Sequence, residues 1–188
     1  SEVEAAVQAF RETGNQNLIL LQCTTNYPSR LEDANLRVMQ TMVQSFNTQV
    51  GYSDHTQGDI ACIISVGLGA KVIEKHFTMD KLLSGPDQSS SADPEELSRL
   101  IKNIRNAEMV MGSALKEPCE IEKKNAWGMR RSLVSKTIIP AGEKVSENML
   151  TFMRPAKGLP PRHFDTFLGK KARKDIPANS FLTWNDFE

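Results

Sequence analysis

Three cysteines in 188 residues, Cys23, Cys62 and Cys119, are too few and too scattered for a disulfide framework, and none stands in a CxxC spacing that would mark a thiolate metal site. Such a set is read as reduced thiols, and a cytoplasmic location is expected. Long hydrophobic runs are also missing: no stretch approaches the roughly 20 apolar residues that span a bilayer. The first residues, Ser1-Glu2-Val3-Glu4-Ala5-Ala6, are acidic and helical, unlike a signal peptide. An excess of one charge is missing as well. Lysine plus arginine number 23 and aspartate plus glutamate 23. That balance excludes a bulk electrostatic grip on nucleic acid or membrane and leaves room only for a local basic pocket. There is no internal repeat, and nothing is of low complexity beyond Ser89-Ser90-Ser91.

What is present is a pair of histidines at the ends of two short segments, Gly51-Tyr52-Ser53-Asp54-His55 and Val72-Ile73-Glu74-Lys75-His76. Both read as strands. Side chains alternate along a strand, so Ser53 and His55 share one face, as do Glu74 and His76. If the strands are neighbours, two imidazoles, a carboxylate and a hydroxyl converge. Burying unpaired polar groups costs roughly 2–7 kcal/mol each, so a core has no use for that grouping. A divalent metal with open positions for water or a carbonyl oxygen would account for it. The plainer alternative is a pair of core histidines bonded to backbone. Asp54 alternates to the opposite face and takes a structural role.

The rest of the chain falls into two regions. In the first, a helix over about Glu2–Thr13 ends at Gly14, and a strand follows at Leu18–Cys23. Leu36, Met39, Met42, Val43 and Phe46 recur at helical spacing and predict a helix from about Leu31. A strand over Val50–His55 precedes a helix from Asp59, read as its N-cap, to about Leu68. Another strand covers Val72–Phe77. After a polar loop, Pro94, Glu95 and Glu96 open a helix that places Leu97, Leu100, Ile101, Ile104, Ala107 and Val110 on one face and stops near Gly112. Alternating strands and helices with continuously apolar strands signal a parallel sheet, whose carboxyl edge is where sites are built. Three strands cannot cover the apolar faces of four helices, and the chain opens inside a helix without methionine. It is therefore expected to be the C-terminal part of a longer protein.

The second region has short strand-like runs, Ser132–Lys136 and Thr137–Ile139, broken by Pro140-Ala141-Gly142, and one helical turn at Glu147–Leu150. It predicts a compact β-rich domain of roughly 55–60 residues. The boundaries expected are 1–113, a linker over 114–131, and 132–188.

Taken together, Gln22-Cys23-Thr24-Thr25-Asn26-Tyr27-Pro28, Gly51-Tyr52-Ser53-Asp54-His55-Thr56, the run Leu68–Thr78 with Glu74-Lys75-His76-Phe77-Thr78, and Gly85-Pro86-Asp87 resemble the sialic acid synthase family, whose members include N-acetylneuraminate, legionaminate and pseudaminate synthases. Ser132–Glu188 resembles that family's C-terminal antifreeze-like (SAF) domain, through Ile139–Gly142, Met153-Arg154-Pro155 and Leu168–Lys171. The resemblance implies an α/β fold: the last three strands of a (β/α)8 TIM barrel followed by a small β-rich SAF domain of β-clip type. It implies condensation of phosphoenolpyruvate with N-acetylmannosamine or a related sugar and water, giving a nine-carbon 2-keto acid and phosphate.

It also implies roles. His55 and His76 would hold Mn²⁺ or Mg²⁺, and Glu74 would receive a proton as water adds. Ser53 and Thr25 would contact phosphoenolpyruvate, and Tyr27 and Asp87 the sugar. Arg154 would reach the partner's barrel in a domain-swapped homodimer. The five earlier strands would be absent, leaving this chain inactive alone. Many relatives follow Gly-Pro-Asp with histidine and an alanine-serine pair, whereas here Gln88-Ser89-Ser90-Ser91 follow, so sugar preference stays open. Two alternatives remain. Another phosphoenolpyruvate-dependent synthase would lack the SAF domain. An ice- or carbohydrate-binding module would need a flat, rather apolar surface, against which Lys170, Lys171, Arg173 and Lys174 count.

Overall fold

The computed structural model describes residues 1–188, which form two compact units, Ser1–Ala114 and Leu115–Glu188. The first unit runs α1 (Glu2–Glu12), β1 (Ile19–Cys23), α2 (Val38–Phe46), β2 (Gln49–Asp54), α3 (Ile60–Gly67), β3 (Ile73–Lys75) and α4 (Pro94–Met111). Its strands are parallel and lie in sequence order, β1-β2-β3. That is the arrangement expected of consecutive staves in a β/α wall, with the site residues gathered at the carboxyl ends.

Local chemistry explains the element ends. Helix α4 begins with Pro94 in its first turn behind a capping box, in which Asp93 Oδ1 accepts from the Glu96 N–H at 2.8 Å and Glu96 Oε2 accepts from the Asp93 N–H at 3.2 Å. Leu100 is buried, with Leu97 and Ile104 packed on the same core. Ile101 and Val110, expected on that face, are exposed; at 3.6 residues per turn they lie roughly 70° and 110° off the buried stripe. The helix expected from Leu31 is in fact two pieces, a 3-10 turn at Leu31–Ala34 and then α2. Asn35 separates them at φ 43°, a left-handed conformation that asparagine tolerates. Asp59 precedes α3 as expected but makes no capping bond; its carboxylate accepts from Asn103 Nδ2 at 2.7 Å and so ties α3 to α4.

Strand β2 is the buried centre of the sheet. Val50 and Tyr52 join Ala34, Met39, Ala61, Cys62 and Leu100 in one core, and each large side chain there contributes roughly 1.5–3 kcal/mol of hydrophobic stabilisation. Gly51 sits where nothing larger fits: a Cβ would lie 2.4 Å from the Val72 carbonyl oxygen and 2.5 Å from Leu21 Cδ2. No helix is long and apolar enough to cross a membrane.

In the second unit, the stretch expected as a linker carries a helix, α5 (Glu120–Met129). Beyond it, β4 (Ser132–Ser135) pairs antiparallel with β5 (Leu150–Met153), followed by α6 (Phe164–Phe167). The helical turn expected at 147–150 is a 3-10 turn at Glu147–Met149. Thr137–Ile139 is not a strand. Only Ile139 pairs, exchanging both backbone bonds with Ile176, and Pro140 then has no N–H to continue a ladder. Leu133, Ile139, Leu150, Phe167, Leu182 and Phe187 are among the buried residues of this unit's core. Asp186 caps the final turn, accepting from the Thr183 N–H at 2.7 Å and hydroxyl at 2.8 Å, with Lys174 Nζ 3.0 Å away.

Candidate active site

Register decides which side chains meet. Ser53 pairs with Glu74, and Asp54 with Lys75. Successive pairs therefore face opposite sides of the sheet. On one side, Ser53 Oγ donates to Glu74 Oε1 at 2.7 Å. Two residues further on, the His55 and His76 rings stand with centroids 5.2 Å apart and planes at 70°. The Tyr27 ring, from the segment after β1, lies 4.0 Å from His55 and 5.2 Å from His76. Asp87 Oδ2, from the loop before α4, is 3.8 Å from His76 Nδ1. Three strand ends and one loop thus deliver two imidazoles, a phenol, two carboxylates and a hydroxyl to one place.

The other side is a closed ionic knot. Lys75 Nζ donates to Asp54 Oδ2 at 2.7 Å and to the Thr56 carbonyl at 2.8 Å. Asp54 Oδ1 accepts from the Thr56 N–H at 2.8 Å and the Tyr52 hydroxyl at 3.1 Å, and Cys62 Sγ lies 3.0 Å from Oδ2. Burial alone would raise the Asp54 carboxyl, but the bonds from Lys75, Cys62 and the Thr56 N–H outweigh it and hold the pKa below the usual carboxylate range. Burial, with the Asp54 charge beside it, pushes the Cys62 thiol and the Tyr52 phenol up, so both stay protonated donors.

The tautomer of His55 follows from its partner. Its Nδ1 lies 2.7 Å from the Thr24 carbonyl oxygen. A carbonyl can only accept, so Nδ1 carries the hydrogen, and in the neutral ring Nε2 keeps its lone pair for a ligand. Backbone orientation of this kind is the usual outer support of a metal-binding histidine. Two half-buried imidazoles standing edge to face at 5.2 Å are donors of the kind a divalent cation takes. No group of three or more His, Cys, Asp or Glu side chains is arranged as a fuller ligand set.

Of the residues expected from sequence, His55, His76, Glu74, Ser53, Tyr27 and Asp87 are brought together. Thr25 is exposed, and it is the neighbouring Thr24 whose carbonyl engages His55. Arg154 lies on the second unit, exposed, with its Nε donating to the Met129 carbonyl at 2.8 Å. Two features escaped the sequence reading. One is the Thr24 carbonyl, a backbone group that no residue type betrays. The other is Lys75 as the partner of Asp54, which strand alternation could have paired once the register was known.

Comparison with known proteins adds an independent line. Residues 1–116 match the NeuB family and residues 130–188 the SAF domain. The N,N'-diacetyllegionaminic acid synthase of Campylobacter jejuni is 44% identical over 183 residues, covering 96% of this chain and 55% of that protein. That of Legionella pneumophila is 42% identical over 171 residues, covering 91% and 48%. Among solved structures, the N-acetylneuraminic acid synthetase of Leptospira borgpetersenii, in complex with citrate, superposes with a TM-score of 0.60 at 36% identity, covering 66% of this chain and 43% of that one. The chain spans about half the length of the relatives it matches.

Proposed function

The chain belongs to the NeuB family, and from that premise we propose that it forms part of a sugar-acid synthase. The complete protein joins C3 of phosphoenolpyruvate to the aldehyde carbon of N-acetylmannosamine or a related N-acyl amino sugar. Water adds at C2, the C–O bond to phosphate breaks, and a nine-carbon 2-keto acid and phosphate are released. The observation that carries this reading is the juxtaposition of His55 and His76 at 5.2 Å beside the Ser53–Glu74 hydrogen bond.

His55 and His76 are the residues that would hold Mn²⁺ or Mg²⁺. When bound there, the cation supplies Lewis acidity toward the aldehyde oxygen. Glu74 faces the same space, and its carboxylate takes a proton from the water that adds to C2. Ser53, with Thr25, contacts phosphoenolpyruvate; its one hydroxyl proton, given to Glu74 in the free site, turns to the ligand's anionic oxygen. Tyr27 offers a flat apolar face and a hydroxyl to the sugar, and the Asp87 carboxylate accepts from its hydroxyls. Arg154 acts in trans, reaching the partner's barrel in a domain-swapped homodimer. The reaction belongs in the cytoplasm, where the three free thiols stay reduced.

In the full-length protein, phosphate release should depend on both phosphoenolpyruvate and an N-acyl mannosamine-type sugar. Glu74→Gln should lower kcat by roughly 10²–10⁴-fold, the usual worth of a positioned proton acceptor. Phosphate release that ignores the sugar, or a Glu74→Gln enzyme with native kcat, would overturn the reading. These 188 residues alone should show no turnover.

A further inference from the structure

The backbone ladder between β2 and β3 stops one residue short of the histidines. Its last register pair is Asp54 with Lys75. Beyond it the two chains part: the His55 carbonyl accepts from the Ser29 N–H at 2.8 Å, and the His76 carbonyl accepts from the Ala92 N–H at 2.8 Å. No backbone bond therefore joins His55 to His76. On the face opposite the rings, the Lys75 side chain crosses the seam at that level; it is 92% buried by its 8% exposure and grips acceptors on both sides of His55, the Asp54 carboxylate before it and the Thr56 carbonyl after it. Asp54 in turn holds the Thr56 N–H, so the backbone around His55 is clamped from both ends.

We propose that Lys75 is a positioning residue: its ammonium, bridging Asp54 and Thr56 across the end of the β2–β3 ladder, sets the spacing between the His55 and His76 rings on the opposite face. The role rests on the reading of that pair as a cation site, and the geometry it governs exists without one. A lysine suits this task because its three donors can serve a carboxylate and a carbonyl together, which no apolar side chain of similar length can do. Removing the lysine alone leaves the Asp54 charge buried and unpaired, which is strongly destabilising. Removing the clamp while keeping the fold therefore means neutralising Asp54 as well, with an acceptor kept for the Thr56 N–H and the Tyr52 hydroxyl.

The test compares the native full-length protein with Lys75→Met and with Asp54→Asn/Lys75→Met, the double variant removing the charge that the single one leaves buried while its amide oxygen still accepts from the Thr56 N–H and the Tyr52 hydroxyl. With the protein histidine-labelled and otherwise deuterated, proton cross-relaxation between the His55 and His76 rings reports their spacing directly. It should weaken at least about two-fold in a folded variant, and Mn²⁺ affinity should fall about 10- to 100-fold, the range typical of lost outer-shell support. A folded variant with native inter-ring cross-relaxation overturns the proposal, whatever its activity. Native protein that shows the inter-ring contact but binds no Mn²⁺ would instead refute the cation reading, and the cross-relaxation comparison would still decide the role of Lys75.

Discussion

Gly51→Ala is a one-methyl test of how tightly the sheet that carries the site is closed. The added Cβ would stand 2.4 Å from the Val72 carbonyl oxygen and 2.5 Å from Leu21 Cδ2, against an ordinary C···O contact of roughly 3.3–3.6 Å. Leu21 can rotate away. The carbonyl cannot, because it accepts from the Tyr52 N–H at 2.9 Å, and the Lys71 N–H is bonded to the Val50 carbonyl at the same distance on the other side. Clearing about 1 Å means lengthening the ladder between β2 and the segment entering β3. Overpacking costs about 1–3 kcal/mol and a weakened ladder bond about 1 kcal/mol. Alanine's lower conformational entropy offsets about 0.5–1 kcal/mol of this. The net loss is about 1–3.5 kcal/mol.

The chain carries its own reporters for the assay. Both tyrosines, Tyr27 and Tyr52, lie in the first unit, and both tryptophans, Trp127 and Trp184, in the second. In urea titrations the tyrosine transition should move to lower denaturant while the tryptophan transition stays in place. A tyrosine transition within about 0.5 kcal/mol of native, where ordinary surface substitutions fall, would refute the close packing of β2 on β3.

Other expectations concern single groups. Asp186 has its pKa held down: burial raises it, but the Thr183 and Lys174 bonds outweigh burial. A folded pKa below the unfolded value gives stability that is full above about pH 4 and is lost as pH falls through the folded pKa. The tryptophan-monitored unit should therefore weaken in acid, and Asp186→Asn should flatten that dependence; an unchanged acid limb would contradict the bonding seen. Asp93→Ala removes the cap of α4 and should cost about 1 kcal/mol in the tyrosine-monitored transition; no measurable change would show that the capping box contributes nothing there.

How much of this was legible in the sequence differs by residue, and the differences have causes. The α4 start was readable from local signals, Pro94 followed by the acidic Glu95 and Glu96; the reciprocal bonds of Asp93 and Glu96 are what the structure adds. The shared face of Ser53 with His55 and of Glu74 with His76 followed from strand alternation alone. The break before α2 was not foreseen, since the apolar spacing runs straight through Asn35 and only its backbone conformation interrupts the helix. Asp59 looked like a cap, yet a partner 44 residues away, Asn103, claims its carboxylate. Strand β5 was missed because Leu-Thr-Phe-Met is short and its pairing with β4 is long-range. Asp54 was given a structural role, but its partner lay hidden because only the strand register sets Lys75 against it.

Mn²⁺ binding to the full-length protein, followed by the loss of the free-ion electron paramagnetic resonance signal, probes the histidine pair itself in native protein and in His55→Ala and His76→Ala. Native protein should take up Mn²⁺, and either substitution, by removing one of two imidazole donors, should abolish uptake at the same concentrations. Uptake by both variants with native affinity would contradict a cation site at that pair.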